Sequence, residues 1–248
     1  RIAFVRDGDI WIYSIPEAAA RRLSFEDGRA GGPAWTNDGR FVGYPVDGEV
    51  GDESLASVYL RAADGTGEAE VIVTGEADLW EVDFAPGDTQ VVAFSVDNLH
   101  RASVGPAGSG PVPLMETGAF LAHGTLSPDG RWLAYRSNES GVNEVYVRSY
   151  PDMGPATVIS TGGGSAPAWS GDGSEIFYWS RGRMNVASVR VDGGRVAVVD
   201  RAELFHAGPF QQEWNRNFDV HPRGNQFVMV SRPESRIVWR VNALADRP

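Results

Sequence analysis

The sequence predicts an all-β fold, a six-bladed β-propeller of four-stranded antiparallel meanders, on three observations. One motif recurs along the chain at intervals of 49, 42, 43 and 51 residues. Each copy joins short apolar runs through Asp/Gly-rich turns, and no stretch sustains the 3.6-residue apolar period of a long amphipathic helix.

The clearest copy is "LSPDGRWLAYRSNESGVNEVYVRSY" (126–150), which opens on the turn Ser127-Pro128-Asp129-Gly130. The turn returns as "WTNDGRFVGY" (35–44), "FAPGDTQVVAF" (84–94), "WSGDGSEIFYW" (169–179) and "VHPRGNQFVMV" (220–230). Asp and Gly suit such turns because they tolerate positive φ, and Asp can also bond the backbone two residues on. After each turn comes a run rich in β-branched and aromatic residues: Ile2–Val5, Phe41–Tyr44, Val91–Phe94, Trp132–Tyr135, Ile176–Trp179 and Phe227–Val230. A third strand follows, clearest in "DIWIYSI" (9–15), "SVYLRAADG" (57–65), "EVYVRSY" (144–150) and "NVASVRVDGG" (185–194). "IPEAAARRLSF" (15–25) holds good helix formers but is short, contains a Pro and sits where an outer strand belongs, so it reads as strand.

A four-stranded meander cannot bury both faces alone, so the copies must stack face to face around an axis. The expectation is one domain over 1–248 with repeats at 1–28, 29–75, 76–117, 118–161, 162–207 and 208–248. The first copy has no inner strand before Arg1 and the last no clear outer strand, so the terminal blades are expected to be incomplete.

At "LSPDGRWLAYRSNESGVNEVYVRSY", "GGGSAPAWSGDGSEIFYWS" and "DIWIYSI" the chain resembles the TolB-like propeller repeats of bacteria, in particular the C-terminal extracytoplasmic propeller of some bacterial serine/threonine kinases. The resemblance implies a WD-like repeat propeller, an extracytoplasmic (periplasmic or cell-surface) location, and a role in docking, ligand sensing, peptidase gating or, in some members, lyase chemistry. Blade three departs from the pattern with "APGD" and blade six with "HPRG".

Composition excludes several classes. The 33 acidic against 22 basic residues leave a net charge of −11, which repels phosphate backbones and argues against nucleic acid. No segment approaches the roughly 20 apolar residues of a membrane span. The absence of Cys removes disulfides, thiolate metal sites and a cysteine nucleophile. "GGSAP" (163–167) lacks the last Gly of a nucleophile elbow, and Gly162–Gly164 lacks the Lys-Ser/Thr of a phosphate loop, so both read as blade connections.

Aligning the copies places Gly32, Glu81, His123, Ala166 and Asn217 at one position before the inner strands, preceded by Gly31, Trp80, Ala122, Ser165 and Arg216. In a propeller these positions ring the channel mouth. Trp80, Glu81, His123, Arg216 and Asn217 are therefore the candidate ligand-binding residues, with Asp83 and Asp219 two positions further on. Arg216 and Trp80 suit an anionic or sugar-like ligand by bidentate bonding and stacking, while His123 and Glu81 are the candidates for a divalent metal. No cofactor is expected beyond a divalent ion such as calcium. Two recognition loops are also candidates: the acidic insertion with Asp47, Glu49, Asp52 and Glu53, and the connection 205–220 with Phe210 and Trp214. Each has a plainer reading, as a solvated hairpin and as a cover for the last blade. The remaining histidines are placed in a blade connection (His100), near an outer strand (His206) and in a turn (His221).

The repeat code without an assembled catalytic set points to a non-catalytic binding or sensory module that recognises a protein, peptide or small ligand at the channel mouth, with no nucleic-acid partner, and that belongs to a larger, membrane-anchored protein. The rivals are a metal-assisted lyase or hydrolase at the channel, and the gating propeller of a peptidase.

Overall fold

In a computed structural model the described residues are 1–50, 53–74, 79–95, 98–104, 111–116, 118–206, 216–221, 226–231 and 236–241; of these, the side chains of 48–50, 53–55, 98, 116, 230–231 and 236–241 are left undescribed. They form six antiparallel meanders and no helix. The chain divides into two compact units, Arg1–Leu121 and Ala122–Pro248.

The first unit carries three sheets. Strands β1 (Ile2–Arg6), β2 (Asp9–Ser14) and β3 (Ala19–Arg22) make the first; β4 (Ala34–Trp35), β5 (Phe41–Val50), β6 (Glu53–Ala62) and β7 (Glu70–Val73) the second. The third is β8 (Glu81–Phe84), β9 (Gln90–Phe94), β10 (Asn98–Ser103) and β11 (Val112–Glu116). The segment expected to be an outer strand rather than a helix is indeed β3. His100, expected in a blade connection, lies instead in β10 opposite Ala93, is buried, and shares a hydrogen bond of 3.1 Å with Ser95 Oγ. "NLHRAS" conceals this strand because it lacks the β-branched and aromatic side chains that mark the others.

The second unit holds β12 (Leu121–Leu126, whose first residue belongs to the first unit), β13 (Trp132–Ser137), β14 (Glu144–Ser149) and β15 (Thr157–Val158); then β16 (Ser165–Trp169), β17 (Glu175–Ser180), β18 (Arg183–Asp192) and β19 (Arg195–His206). Its last sheet is β20 (Phe218–Val220), β21 (Gln226–Ser231) and β22 (Arg236–Val241).

The apolar cores lie between neighbouring sheets. Val58 and Ile72 of the second sheet meet Val82, Phe84 and Val91 of the third. Trp132, Val145 and Val147 pack on Ile176, Tyr178 and Ala187, and Phe177 meets Phe227 edge-on with centroids 5.2 Å apart. Each buried Val, Ile or Phe contributes about 1.5–3 kcal/mol, so the joins carry the folding energy.

The repeated turn is held by one bonding scheme. Thr36, Ser127 and Ser170 donate their hydroxyls to Asp38, Asp129 and Asp172 at 2.8, 2.6 and 2.7 Å. Each hydroxyl oxygen in turn accepts the N–H that opens the next strand, from Phe41, Trp132 or Glu175. In "APGD" the scheme changes: the Asp88 carboxylate accepts from the Asn37 backbone and side-chain nitrogens at 2.8 and 2.6 Å, tying the turn to that of the preceding sheet.

Candidate functional site

Of the aligned positions, Gly31–Gly32 and Arg216–Asn217 precede their inner strands, whereas Glu81 opens β8, His123 is the third residue of β12 and Ala166 lies in β16, inside the strands they were expected to precede. In the first unit, the segment leading to β4 runs between β5 and the start of β8. Gly31 N–H donates to the Pro45 carbonyl and Gly32 N–H to the Trp80 carbonyl, each at 2.8 Å, and Gly32 forms a parallel bridge with Glu81. A Cβ on Gly31 would sit 2.3 Å from the Trp80 oxygen and 2.8 Å from Pro45 Cγ, so only glycine permits this approach. Trp80 N–H donates to Phe94 O at 2.8 Å, which fixes the Trp80 backbone on both sides while its side chain remains 44% exposed.

Glu81 is half-buried at the start of β8. Asp83, two residues on, turns its carboxylate back onto the Phe84 N–H at 3.1 Å. Asp219 does the same to Val220 at 2.9 Å, so these equivalent carboxylates have equivalent local partners.

In the second unit His123 and Ala166 share a left-handed backbone, with φ of 55° and 50°. Beyond Ala166 the β16–β17 register is irregular between Ser165 and Ala168, a bulge in the inner strand. The His123 side chain is buried, 2% exposed. Asn217 is a fastener: its Oδ1 accepts the Trp179 indole N–H at 2.9 Å. Arg216 Nη1 reaches the Pro167 carbonyl at 3.5 Å. Thus Trp80, Glu81 and Asp83 lie in the first unit and His123, Arg216, Asn217 and Asp219 in the second.

The acidic insertion continues β5 and β6 as a paired hairpin with register as far as Val50 opposite Glu53. Asp47 is half-buried and its N–H donates to Arg29 O at 3.0 Å. The side chains of Glu49 and Glu53, and all of Asp52, Phe210 and Trp214, lie outside the described residues. His206 ends β19, in keeping with its expected place, and His221 directly follows β20.

Among the described residues, no group of three or more His, Asp or Glu side chains is placed to hold one metal ion. His123 and Glu81 therefore do not complete a metal site with other described donors. Ser165 opens β16 and is buried, while Gly162 and Gly163 have φ of 74° and 113°. The triple glycine serves packing: Gly163 N–H donates to Glu144 at 2.9 Å, and a Cβ on Gly164 would meet Ser160 Oγ at 2.3 Å.

Two recurrent polar networks escaped the sequence reading. Glu144, 6% exposed, accepts a short hydrogen bond from Ser160, whose oxygen accepts the Val145 N–H at 2.8 Å. Asp9, Ser24 and Ile10 repeat the arrangement at 3.2 and 2.8 Å. The signal was an acid at the head of the third strand with a serine 15 or 16 residues later. The second network stacks cross-strand tyrosines, Tyr44 on Tyr59 and Tyr135 on Tyr146, beside Arg61–Glu26 and Arg148–Glu139 ion pairs. Burial, then the Glu26 carboxylate, pushes the Tyr44 hydroxyl pKa upward; burial does the same at Tyr135. Burial opposes the charge on Arg148, yet its bonds to Tyr135 and Glu139 outweigh this and raise its pKa.

Neither a protein-family model nor a curated protein sequence matches the chain. Solved structures do. TolB from Acinetobacter baumannii aligns with a TM-score of 0.69 at 15% identity over 93% of this chain and 56% of that one. An oligogalacturonate lyase in complex with manganese aligns at 0.65 and 13% over 96% and 72%. A chain of a nidogen–laminin complex aligns at 0.73 and 11% over 98% and 90%. This chain thus spans little more than half of the Acinetobacter protein. At such identities the likeness shows the fold alone, that of a β-propeller.

Proposed function

We propose that this TolB-like propeller is a non-catalytic binding module that recognises a protein or peptide at the rim formed by the starts of its inner strands. The observation that carries this reading is the combination at Trp80 of a backbone bonded on both sides and an indole left 44% exposed. An exposed aromatic on a bonded backbone offers a large contact area with its main chain already ordered, the features of an interface anchor. The fasteners around it favour a platform over a site that must move. The likeness to a chain from a nidogen–laminin complex agrees with docking, and the repeat resemblance supports an extracytoplasmic setting, as a sensory, scaffolding or gating part of a larger protein.

Peptide-library selection against the protein, followed by hydrogen-exchange mapping, tests this. Selected ligands should protect amides around Gly31–Gly32 and Trp80–Glu81; ligands that bind yet protect only distant strands would defeat the reading.

The fold of a manganese-bound oligogalacturonate lyase supports an enzyme as the second reading. Among the described residues no three His, Asp or Glu side chains are grouped to hold such an ion. Incubation with oligogalacturonate and manganese separates the two: formation of unsaturated uronate product would favour the lyase.

A further inference from the structure

We infer that the exposed face of the Trp80 indole receives a cationic side chain from a basic peptide partner. This deepens, and rests on, the reading of the chain as a binding module. Among the described residues only two aromatic side chains are strongly exposed, Phe25 at 60% and Trp80 at 44%. The chain covers the first itself: the guanidiniums of Arg22 and Arg61 each lie 5.0 Å from the Phe25 ring centroid. Trp11 and Trp35, nearer the interior, are likewise capped by Arg6 and Arg1 at 5.1 Å. No described guanidinium stands over Trp80. An aromatic face carries negative potential and attracts such cations, most strongly when the ring is indole.

The sequence around Trp80 cannot supply one locally. From Ala62 to His100 there is no Lys or Arg, whereas nine residues are acidic: Asp64, Glu68, Glu70, Glu76, Asp78, Glu81, Asp83, Asp88 and Asp97. This acidic stretch of sequence, within a chain of net charge −11, favours a cationic over an anionic partner. Charge complementarity therefore selects an Arg- or Lys-bearing peptide over an acidic peptide or a phosphorylated ligand. The Trp80 backbone bonds to Phe94 and Gly32 keep the ring's mounting fixed, so the cation meets a prepared face.

The experiment titrates hexa-arginine, with hexa-glutamate as control, into the wild type and the Trp80→Ala and Trp80→Phe variants at about physiological ionic strength. Hexa-arginine should bind the wild type, shift the Trp80 indole N–H resonance, and lose about 3- to 30-fold in affinity in Trp80→Ala, with Trp80→Phe between. Hexa-glutamate should not bind. Equal affinity of the wild type and a folded Trp80→Ala, or an unshifted indole resonance, overturns the inference; the resonance decides the matter should Trp80→Ala fail to fold. If library-selected ligands still protect the rim in that event, the binding-module reading survives without the cation. If hexa-arginine depends on Trp80 while selected ligands map elsewhere, it is the module reading that falls.

Discussion

Trp179, 2% exposed, donates its indole N–H to Asn217 Oδ1 at 2.9 Å, so a residue of the fifth sheet's second strand is bonded to the residue just ahead of the sixth sheet. Asn217→Ala strands a buried donor, which costs about 1–3 kcal/mol. The expected outcome is a lower urea midpoint for Asn217→Ala. An unchanged midpoint would show that this bond does not hold the two sheets together.

Gly31→Ala tests the fastening in the first unit. Its Cβ would strike the Trp80 carbonyl at 2.3 Å, a backbone atom that cannot swing aside, and over-packing of this kind costs about 1–3 kcal/mol. Denaturation should show that loss, and amide exchange at Trp80 should accelerate.

Ser160→Ala removes the acceptor of the Val145 N–H and the donor to the buried Glu144 carboxylate together. The loss should be about 1–3 kcal/mol, read by thermal or urea unfolding. Ser24→Ala, its counterpart between Ile10 and Asp9, should also destabilise but by less, because Arg22 still pairs with Asp9 at 2.8 Å.

The turn carboxylates give the fold an acid limit. Bonds from the Arg40 backbone and side chain, then from Thr36, lower the Asp38 pKa from 3.8 to about 2. Bonds from Ser170 and Ser174 lower that of Asp172; at Asp129 burial opposes the shift, but Ser127 and Arg131 prevail. A group with a lower pKa in the folded state stabilises it above the unfolded value, and that stabilisation fades as pH falls through the folded one. For Asp38 stability should therefore fall between about pH 3.8 and 2. Urea midpoints across that range should decline less steeply in Asp38→Asn than in the wild type.

The sequence made the sheets legible where turn chemistry repeats. Ser127-Pro128-Asp129-Gly130 announces its strand pair because the same side chains that mark the turn also bond it. β10 was hidden because His100, Arg101 and Ser103 carry no β signature; register with β9, not propensity, makes it a strand. Alignment of the copies does not disclose that Gly32 and the candidate ligand residue Asn217 also join neighbouring sheets. Such a role depends on which carbonyl or indole lies opposite, information held by a strand some 40 to 50 residues away. The Glu144–Ser160 pair shows the same difficulty at shorter range: an isolated acid and serine carry no meaning until β14 and the segment after β15 are side by side.

Because Val58 and Ile72 find their apolar partners in Val82 and Phe84 across a sheet boundary, repeats cannot be exchanged like beads on a string. A graft cut at the connection between sheets would mate two faces that never evolved together. A cut through the middle of a meander, between its second and third strands, would transplant an intact joint, leaving the backbone ladder to heal the splice. Chimeras of this protein should accordingly be drawn with crossover points inside sheets, and a lone meander excised at its loops should be insoluble or unfolded.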